Sequence, residues 1–238
     1  RDGPATPRMA ALFRAHRPAG AILFARNIVS PAQVAVLTAD LRDVLGGEAP
    51  ILVDQEGGRV ARLKPPHWPA LPPAVVFERG PAPAVVANAA RIGAMCAAVG
   101  LNVVCAPVLD LRLPGAHDVI GDRALSDDPA EIARLGSAWI AGLHASGAQS
   151  VVKHIPGHGR AHADSHLELP RVDVSRAELE ADIAPFRALA AEAGWAMTAH
   201  ILYVALDPDR PATLSPTVIE GVVRQEIGFD GVLVSDDL

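Results

Sequence analysis

The feature that most constrains the fold is a series of six short, continuously apolar runs, each bounded by glycine, proline or charged residues. A strand with one wet face alternates polar and apolar residues, whereas a strand buried in a parallel sheet is apolar throughout. These runs are of the second kind, and they predict six parallel strands. The runs are Ala19 to Ala25, Pro50 to Asp54, Leu101 to Leu111, Ser150 to Ile155, Ala196 to Ile201 and Gly231 to Asp236.

Alanine-rich stretches with helical periodicity lie between the runs. Ser30 stands before Pro31 in the order of an N-cap and a first helical residue, and Ser175 with Glu178 has the spacing of a capping box. Strand, helix and strand repeated along the chain predict a single parallel β/α domain over residues 1–238. The predicted helices are Ser30 to Leu45, Pro83 to Val99, Pro129 to Ser146 and Ser175 to Ala193.

Polar residues gather where the apolar runs end. This favours a (β/α)8 barrel of the TIM type over an open sheet, because barrels carry their chemistry on loops at the carboxyl ends of many strands. Six runs are visible where a closed barrel needs eight strands, so we expect the first and last strands to lie outside this chain. The polar residues are Asp54, Gln55, Glu56, Asp110, Lys153, His154, His200, Asp236 and Asp237.

Composition narrows the class of partner. The net charge is −6 and the pI is 5.8, with no basic block, which disfavours nucleic acids and anionic membranes and favours a small or neutral ligand. No apolar run has the length of a membrane span. Cys96 and Cys105 lie in apolar stretches and indicate core residues of a reducing compartment, so the predicted location is cytoplasmic.

Four histidines occur at intervals of four in the run KHIPGHGRAHADSH, namely His154, His158, His162 and His166. On a continuous helix this spacing would stack them for zinc binding, but a proline and two glycines interrupt the run. We therefore predict no metal site and no cofactor, although a metal-dependent hydrolase stays open as an alternative. Asp164 and His166 have a spacing that allows a carboxylate to orient an imidazole, but spacing alone favours an ordinary surface hydrogen bond.

Two further stretches carry carboxylates after apolar runs. In VDQEGGRVAR, glycines permit a sharp turn and close approach of a ligand, and a carboxylate beside an arginine suits hydroxyl groups, although a surface ion pair at a strand end would have the same composition. In GFDGVLVSDD, Asp236 and Asp237 are neighbours and point to opposite faces of an extended strand, so we expect only one to face a site.

Taken in order, these stretches resemble glycoside hydrolase family 3, and most closely its bacterial β-N-acetylglucosaminidase branch of peptidoglycan recycling. The resemblance spans nearly the whole chain. It is carried by GAILFARNI, VDQEGGRVARL, APVLDL followed by Gly121-Asp122-Arg123, VVKHIPGHG with ADSH, AMTAH and RQEIGFDGVLVSDDL. It implies a β/α barrel and a soluble, muropeptide-like sugar substrate of the GlcNAc-anhydro-MurNAc type.

The resemblance also implies residue roles. Asp236 would be the nucleophile, and His166, held by Asp164, would be the general acid/base of a retaining exo-β-N-acetylglucosaminidase. The implied sugar-binding residues are Asp54, Arg62, Arg123, Lys153 and His154. His162 and Arg160 have no assigned role. A family 3 β-glucosidase or β-xylosidase, and a non-catalytic sugar-binding protein, are the other readings that share this barrel.

Overall fold

The computed structural model of the protein describes residues 7–115, 118–161 and 169–236. Its helices are α1 (Pro7–His16), α2 (Pro31–Leu45), α3 (Ala82–Ala97), α4 (Pro129–Ala145), α5 (Arg176–Leu189) and a π-type helix, Thr217–Glu226. Short 3₁₀ turns occupy Ala25–Asn27, Ala74–Phe77, Gly121–Arg123 and Ala212–Leu214. The strands are β1 (Ala21–Leu23), β2 (Ile51–Val53), β3 (Gln55–Gly57), β4 (Val60–Ala61), β5 (Val103–Val104), β6 (Gln149–Ile155), β7 (Arg171–Val172), β8 (Trp195–Thr198), β9 (Leu202–Tyr203) and β10 (Val232–Ser235).

Six strands form one parallel sheet in the order β1-β2-β5-β6-β8-β10, which is also their order along the chain. Each of the six predicted runs overlaps one of these strands, although β6 and β8 begin one residue before their runs, so the parallel β/α prediction is confirmed. The run Leu101 to Leu111 was predicted too long, since its strand ends at Val104. Beyond it Pro107 has no N–H for a ladder, and Val108 makes only an isolated bridge to Lys153.

The two faces of the sheet bury different sets of side chains. Ile51, Val53 and Val104 point outward, into the large core beneath the helices. The residues between them point the other way, into a smaller apolar cluster to which all six strands contribute. Side chains of both edge strands meet in one cluster only when the sheet is curled. That inner cluster contains Ile22, Leu52, Val103, Cys105, Val151, Trp195, Met197 and Val234.

The fold is therefore α/β with a curled parallel sheet. Among the described residues β1 and β10 are its two edges and do not pair with each other, so closure into an eight-stranded barrel is not seen. No helix in the described ranges is long and apolar enough to cross a membrane.

The predicted helix starts are confirmed. The Ser30 hydroxyl accepts from the backbone N–H of Gln33, and Pro31 opens α2. Ser175 and Glu178 form the reciprocal capping box at the start of α5. Four features were not predicted: α1, the antiparallel hairpin of β3 and β4, the small parallel pair of β7 and β9, and the helix Thr217–Glu226.

Candidate functional site

A pocket of about 370 Å³ opens at the carboxyl end of the curled sheet. We call it the central pocket. Both edge strands reach it, β1 through Ile22 and β10 through Ser235, so the curl of the sheet creates it. This volume is in the range of small-molecule sites. Its lining is Ile22, Phe24, Asp54, Val60, Arg62, Val119, Arg123, Lys153, His154, His158, Met197, Ser235 and Asp236.

Lys153 is the buried centre of the pocket. Its side chain is 2% exposed, and its ammonium lies 2.9 Å from Asp54 Oδ1 and 2.6 Å from Glu56 Oε1. The register of β6 shifts between Lys153 and Ile155, so the usual alternation breaks and Lys153 and His154 both line the pocket. Burial alone would lower the pKa of Lys153, but the two carboxylates outweigh it and raise the pKa, which keeps the side chain charged.

Asp54 lies between two cations. Its second oxygen, Oδ2, accepts from Arg62 Nη2 at 2.9 Å, while Oδ1 faces the Lys153 ammonium. Burial alone would raise the pKa of Asp54, but Lys153 and Arg62 outweigh it and hold the pKa well below its ordinary value. An ionised carboxylate in a fixed orientation between cations is suited to accepting hydrogen bonds from ligand hydroxyls.

Glu56 is bound by Arg123 through both carboxylate oxygens. Arg123 Nε and Nη2 each lie 2.9 Å from a Glu56 oxygen, and the two side chains are 11% and 4% exposed. Burial would raise the pKa of Glu56, but Lys153 and Arg123 outweigh burial and lower it. Glu56 was not among the predicted site residues, although it orients two of them.

Asp110 is fully buried behind His154 and fixes it. Its Oδ2 lies 2.7 Å from His154 Nδ1, and its Oδ1 accepts the backbone N–H groups of His154 and His158. Burial would raise the pKa of Asp110, but the two histidines lower it to about 2. The carboxylate is thus ionised at neutral pH, so His154 Nδ1 carries the proton that Asp110 accepts. Burial and the neighbouring His154 lower the pKa of His158 to about 4.

The other ring nitrogen of His154 faces the pocket. His154 Nε2 lies 3.5 Å from Arg123 Nη2 and 4.0 Å from Asp236 Oδ2. Asp236 follows β10 directly, and its side chain is 15% exposed. The structure therefore brings Asp236 together with all five predicted sugar-binding residues.

Three predicted residues lie outside the described part of the chain: Asp164, His166 and Asp237. Of the four histidines in the predicted run, His154 lies in β6 and His158 follows it in a turn, with ring centroids 5.5 Å apart. In the described part of the chain no group of three or more histidine, cysteine, aspartate or glutamate side chains is arranged to hold a metal ion.

Comparisons with known proteins show what the whole chain is similar to. Residues 7–238 match the glycosyl hydrolase family 3 N-terminal domain. A beta-hexosaminidase of Alkalilimnicola ehrlichii is 43% identical over 93% of this chain and 66% of its own length. The corresponding values for a beta-hexosaminidase of Pseudomonas aeruginosa are 41%, 92% and 66%.

Solved structures show the same similarity. NagZ from Neisseria gonorrhoeae, in complex with N-trifluoroacetyl-D-glucosamine, superimposes with a TM-score of 0.91 at 35% identity, over 100% of this chain and 73% of that one. A family 3 β-N-acetylglucosaminidase from Paenibacillus sp. also gives 0.91, at 38% identity over 98% of this chain and 46% of that one. The chain spans about 66% of the length of the curated relatives it matches. Because the family match covers residues 7–238, the chain belongs to glycosyl hydrolase family 3.

Proposed function

We propose that this protein is a retaining exo-β-N-acetylglucosaminidase that removes a terminal N-acetylglucosamine from small muropeptide-like substrates. The observation that carries the proposal is the central pocket, where Asp236 lies among Asp54, Arg62, Arg123, Lys153 and His154. The names of the relatives support it, since they are beta-hexosaminidases, and one solved relative holds an N-acylated glucosamine analogue.

Recognition of the sugar falls to the charged lining. In the proposed complex Asp54 accepts from sugar hydroxyls, while Lys153, Arg62 and His154 donate or accept at neighbouring positions. Arg123 faces the same pocket beside His154. Because salt bridges already hold these groups in place, little side-chain entropy is lost when a sugar binds. A pocket of about 370 Å³ suits one terminal residue better than a polysaccharide, which favours exo action.

Asp236 is the carboxylate best suited to attack. Asp54 and Glu56 each bind two cations, which stabilises them as anions and lowers their nucleophilicity. Asp236 lies in the pocket lining directly after β10, with its Oδ2 4.0 Å from His154 Nε2. In the proposed first step Asp236 bonds to the anomeric carbon as the bond to the departing oxygen breaks.

The departing oxygen needs a proton, and we assign its delivery to His166, oriented by Asp164. In the second step the neutral imidazole takes a proton from water, and the water oxygen displaces Asp236 from the anomeric carbon, so that the β configuration is retained. An imidazole with an ordinary pKa near neutrality performs both transfers without the raised pKa that a carboxylic acid would need.

The proposal also covers the fold of the complete protein and its location. We infer that the curled sheet is part of an eight-stranded barrel in the complete protein, as the family resemblance implies. We also infer a cytoplasmic site of action, on the basis of the two buried, unpaired cysteines Cys96 and Cys105.

The test is turnover of an aryl β-N-acetylglucosaminide by the complete protein. Asp236→Asn should abolish it, whereas Asp43→Asn, on the exposed face of α2, should not change it. A slow fluorinated donor of the same sugar should leave a covalent adduct that mass spectrometry locates on the Asp236 peptide. Near-normal turnover in Asp236→Asn, or an adduct on another residue, would contradict the assignment.

The same assay separates the alternatives. Faster turnover of an aryl glucoside or xyloside than of the N-acetylglucosaminide would make the protein a β-glucosidase or β-xylosidase. Loss of activity with a chelator, restored by zinc, would support a metal-dependent hydrolase. Sugar binding without turnover in the wild-type protein would support a binding protein.

A further inference from the structure

Arg59 joins two elements that form one wall of the central pocket. It lies at the turn of the β3–β4 hairpin, and its guanidinium reaches the wall segment, which we define as residues 118–123. Arg59 Nη2 lies 2.5 Å from Asp118 O, 3.0 Å from Val119 O and 3.2 Å from Ile120 O. Arg59 Nε donates to Asp122 Oδ1 at 2.7 Å. One side chain thus contacts the three consecutive backbone carbonyls of residues 118–120 and the carboxylate of Asp122.

A second arginine makes the connection in the opposite direction. Arg123, at the end of the wall segment, binds Glu56 of the hairpin through both oxygens. Its Nη1 also donates to Val119 O at 2.9 Å, so the same carbonyl accepts from both arginines. The hairpin and the wall segment are therefore held together by a reciprocal pair of arginines: the Arg59 side chain is 43% exposed and that of Arg123 is 11% exposed.

The connected elements supply much of the pocket lining. Val60 and Arg62 come from the hairpin side, and Val119 and Arg123 come from the wall segment. The wall segment has little regular structure of its own, only the 3₁₀ turn Gly121–Arg123. An irregular segment holds one conformation only where specific contacts restrict it, and here Arg59 supplies four of them.

Gly121 occupies a tight turn of the wall segment, between Asp118 and Asp122. It has a φ of +42°, and a Cβ atom there would lie 2.3 Å from Asp118 Oδ1 and 3.4 Å from Arg59 Nη2. The positive φ and the nearby Asp118 carboxylate therefore favour glycine at this turn of the wall segment.

We infer that Arg59 is a positioning residue that holds the wall of the central pocket in its sugar-binding conformation without touching the sugar. The inference rests on the proposed function for its activity measurements. If Arg59 is removed, the wall segment samples other conformations, and the sugar binds only the competent fraction. The apparent affinity then falls in proportion to that fraction, while the bound complex is unchanged.

The variants are Arg59→Met, Arg59→Lys and a matched control, Arg134→Met. Arg134 has the same side-chain exposure as Arg59, 43%, and it also binds a carboxylate and backbone, here Glu131 and the carbonyl of Gly80, outside the pocket lining. We expect Arg59→Met to raise KM for the aryl β-N-acetylglucosaminide about tenfold and to change kcat by less than about twofold. Arg134→Met should change neither.

Arg59→Lys separates geometry from charge. A lysine keeps the positive charge but has no planar fork, so it reaches fewer of the four acceptors. We expect an intermediate KM. Full restoration by lysine would show that charge alone suffices and would overturn the positioning role, as would an unchanged KM in Arg59→Met.

Hydrogen exchange of the peptides that cover residues 118–124 tests the inference without catalysis. In the absence of sugar these amides should exchange faster in Arg59→Met than in wild type or Arg134→Met, and N-acetylglucosamine should reduce the difference. If the wild-type protein neither binds nor hydrolyses the sugar, the proposed function fails, and exchange in sugar-free protein then decides this inference. Unchanged exchange in Arg59→Met overturns the inference in either case.

Discussion

The buried ammonium of Lys153 compensates two carboxylates that lie largely out of water. Asp54 and Glu56 have side chains 14% and 4% exposed, and both contact Lys153 within 3 Å. Without this cation, two like charges would face each other at low dielectric constant, each keeping only its arginine partner. Under the proposed function, stability and sugar recognition therefore depend on the same Lys153 ammonium.

Lys153→Met should lower the free energy of unfolding by about 3–5 kcal/mol, because it leaves buried charge without its partner. Urea denaturation at neutral pH measures the change. Lys64→Met is the matched control, since Lys64 is exposed, and it should change the unfolding free energy by no more than about 0.5 kcal/mol. Equal values for the two variants would contradict the role of Lys153.

At the residue scale, the sequence predicted the pocket residues that the family motifs contain, but not the residues that orient them. Glu56 lies two residues after Asp54 in the sequence. No neighbouring residue in the sequence indicates that its carboxylate binds Arg123 and Lys153, which come from distant parts of the chain. Asp110 was identified as a polar residue at a strand end, yet its contact with His154 depends on how the segment after β5 runs beside β6. Such pairings are set by tertiary structure, which spacing does not reveal.

At the element scale, α5 supports the turn that follows β6. Asp182 of α5 is buried, and its Oδ2 accepts from Arg160 Nε at 2.5 Å, while Arg160 also donates to Glu178 O. Gly157 lies directly against Asp182, and the buried Tyr203 hydroxyl donates to Gly157 O. Arg160, which had no role in the sequence analysis, thus connects the turn to the helix.

Asp182 makes the stability of the contact between α5 and the turn after β6 dependent on pH. Burial raises the pKa of Asp182 to about 6, although Arg160 acts in the opposite direction, and the nearby Asp110 adds to the increase. A folded pKa above the unfolded value of 3.8 means that the folded protein binds the extra proton between about pH 4 and pH 6. The contribution of Asp182 to stability is therefore full below about pH 4 and is lost as the pH rises through about 6.

We expect the unfolding free energy of the wild-type protein, relative to Asp182→Asn, to fall by about 3 kcal/mol between about pH 4 and about pH 7. Denaturant titrations of both proteins at the two pH values measure the difference, and the other titrating groups cancel between them. A difference that does not change with pH would show that Asp182 has an ordinary pKa.

The β3–β4 hairpin depends on a glycine at the end of β3. Gly57 has a φ of +95°, and a Cβ atom there would lie 2.3 Å from Pro72 O. Gly57→Ala should destabilise the protein by more than about 1 kcal/mol and weaken sugar binding, because it displaces Glu56 next to it. Gly47→Ala is the control, since no atom lies within 4 Å of its added Cβ, and it should be close to neutral. Thermal unfolding of both variants tests the contrast.

The six parallel strands were predictable from sequence because both of their faces are buried, which leaves a continuous apolar signal. The hairpin was not, since its strands are three and two residues long and contain Gln55, Glu56 and two glycines at the turn. The β7–β9 pair was missed for the same reason: two residues carry no measurable alternation. The helix Thr217–Glu226 was missed although its start carries the signal that identified α2: Ser215 precedes Pro216, and the Ser215 hydroxyl accepts from the backbone N–H of Val218.

At the scale of the whole molecule, the pocket connects the two edges of the curled sheet. Ile22 of β1 and Ser235 of β10 line it together, and between them lie Asp54 after β2, residues of β6 and Met197 of β8. A ligand that contacts residues from both edges should therefore stabilise the sheet as a unit. Met197 belongs both to the pocket lining and to the inner apolar cluster, to which all six strands contribute. Ligand contacts at the pocket should therefore be coupled to the packing of every strand.

N-acetylglucosamine should raise the midpoint of thermal unfolding in a concentration-dependent way, by the equivalent of about 2.7 kcal/mol at a hundredfold excess over Kd. Glucose, which lacks the acetamido group, should have a smaller effect at the same concentration. Differential scanning calorimetry on the complete protein measures both. Equal shifts for the two sugars would favour the β-glucosidase reading.

The near balance of charge in the central pocket has a consequence for how a ligand arrives. The pocket and its immediate surroundings contain three cationic side chains and four carboxylates. The cations are Arg62, Arg123 and Lys153, and the carboxylates are those of Asp54, Glu56, Asp110 and Asp236. Because these opposite charges lie so close together, their electrostatic potentials nearly cancel at distances beyond the Debye length. The pocket therefore produces almost no electric field in bulk solvent. An uncharged sugar would then meet the site by simple diffusion, at a rate nearly independent of ionic strength.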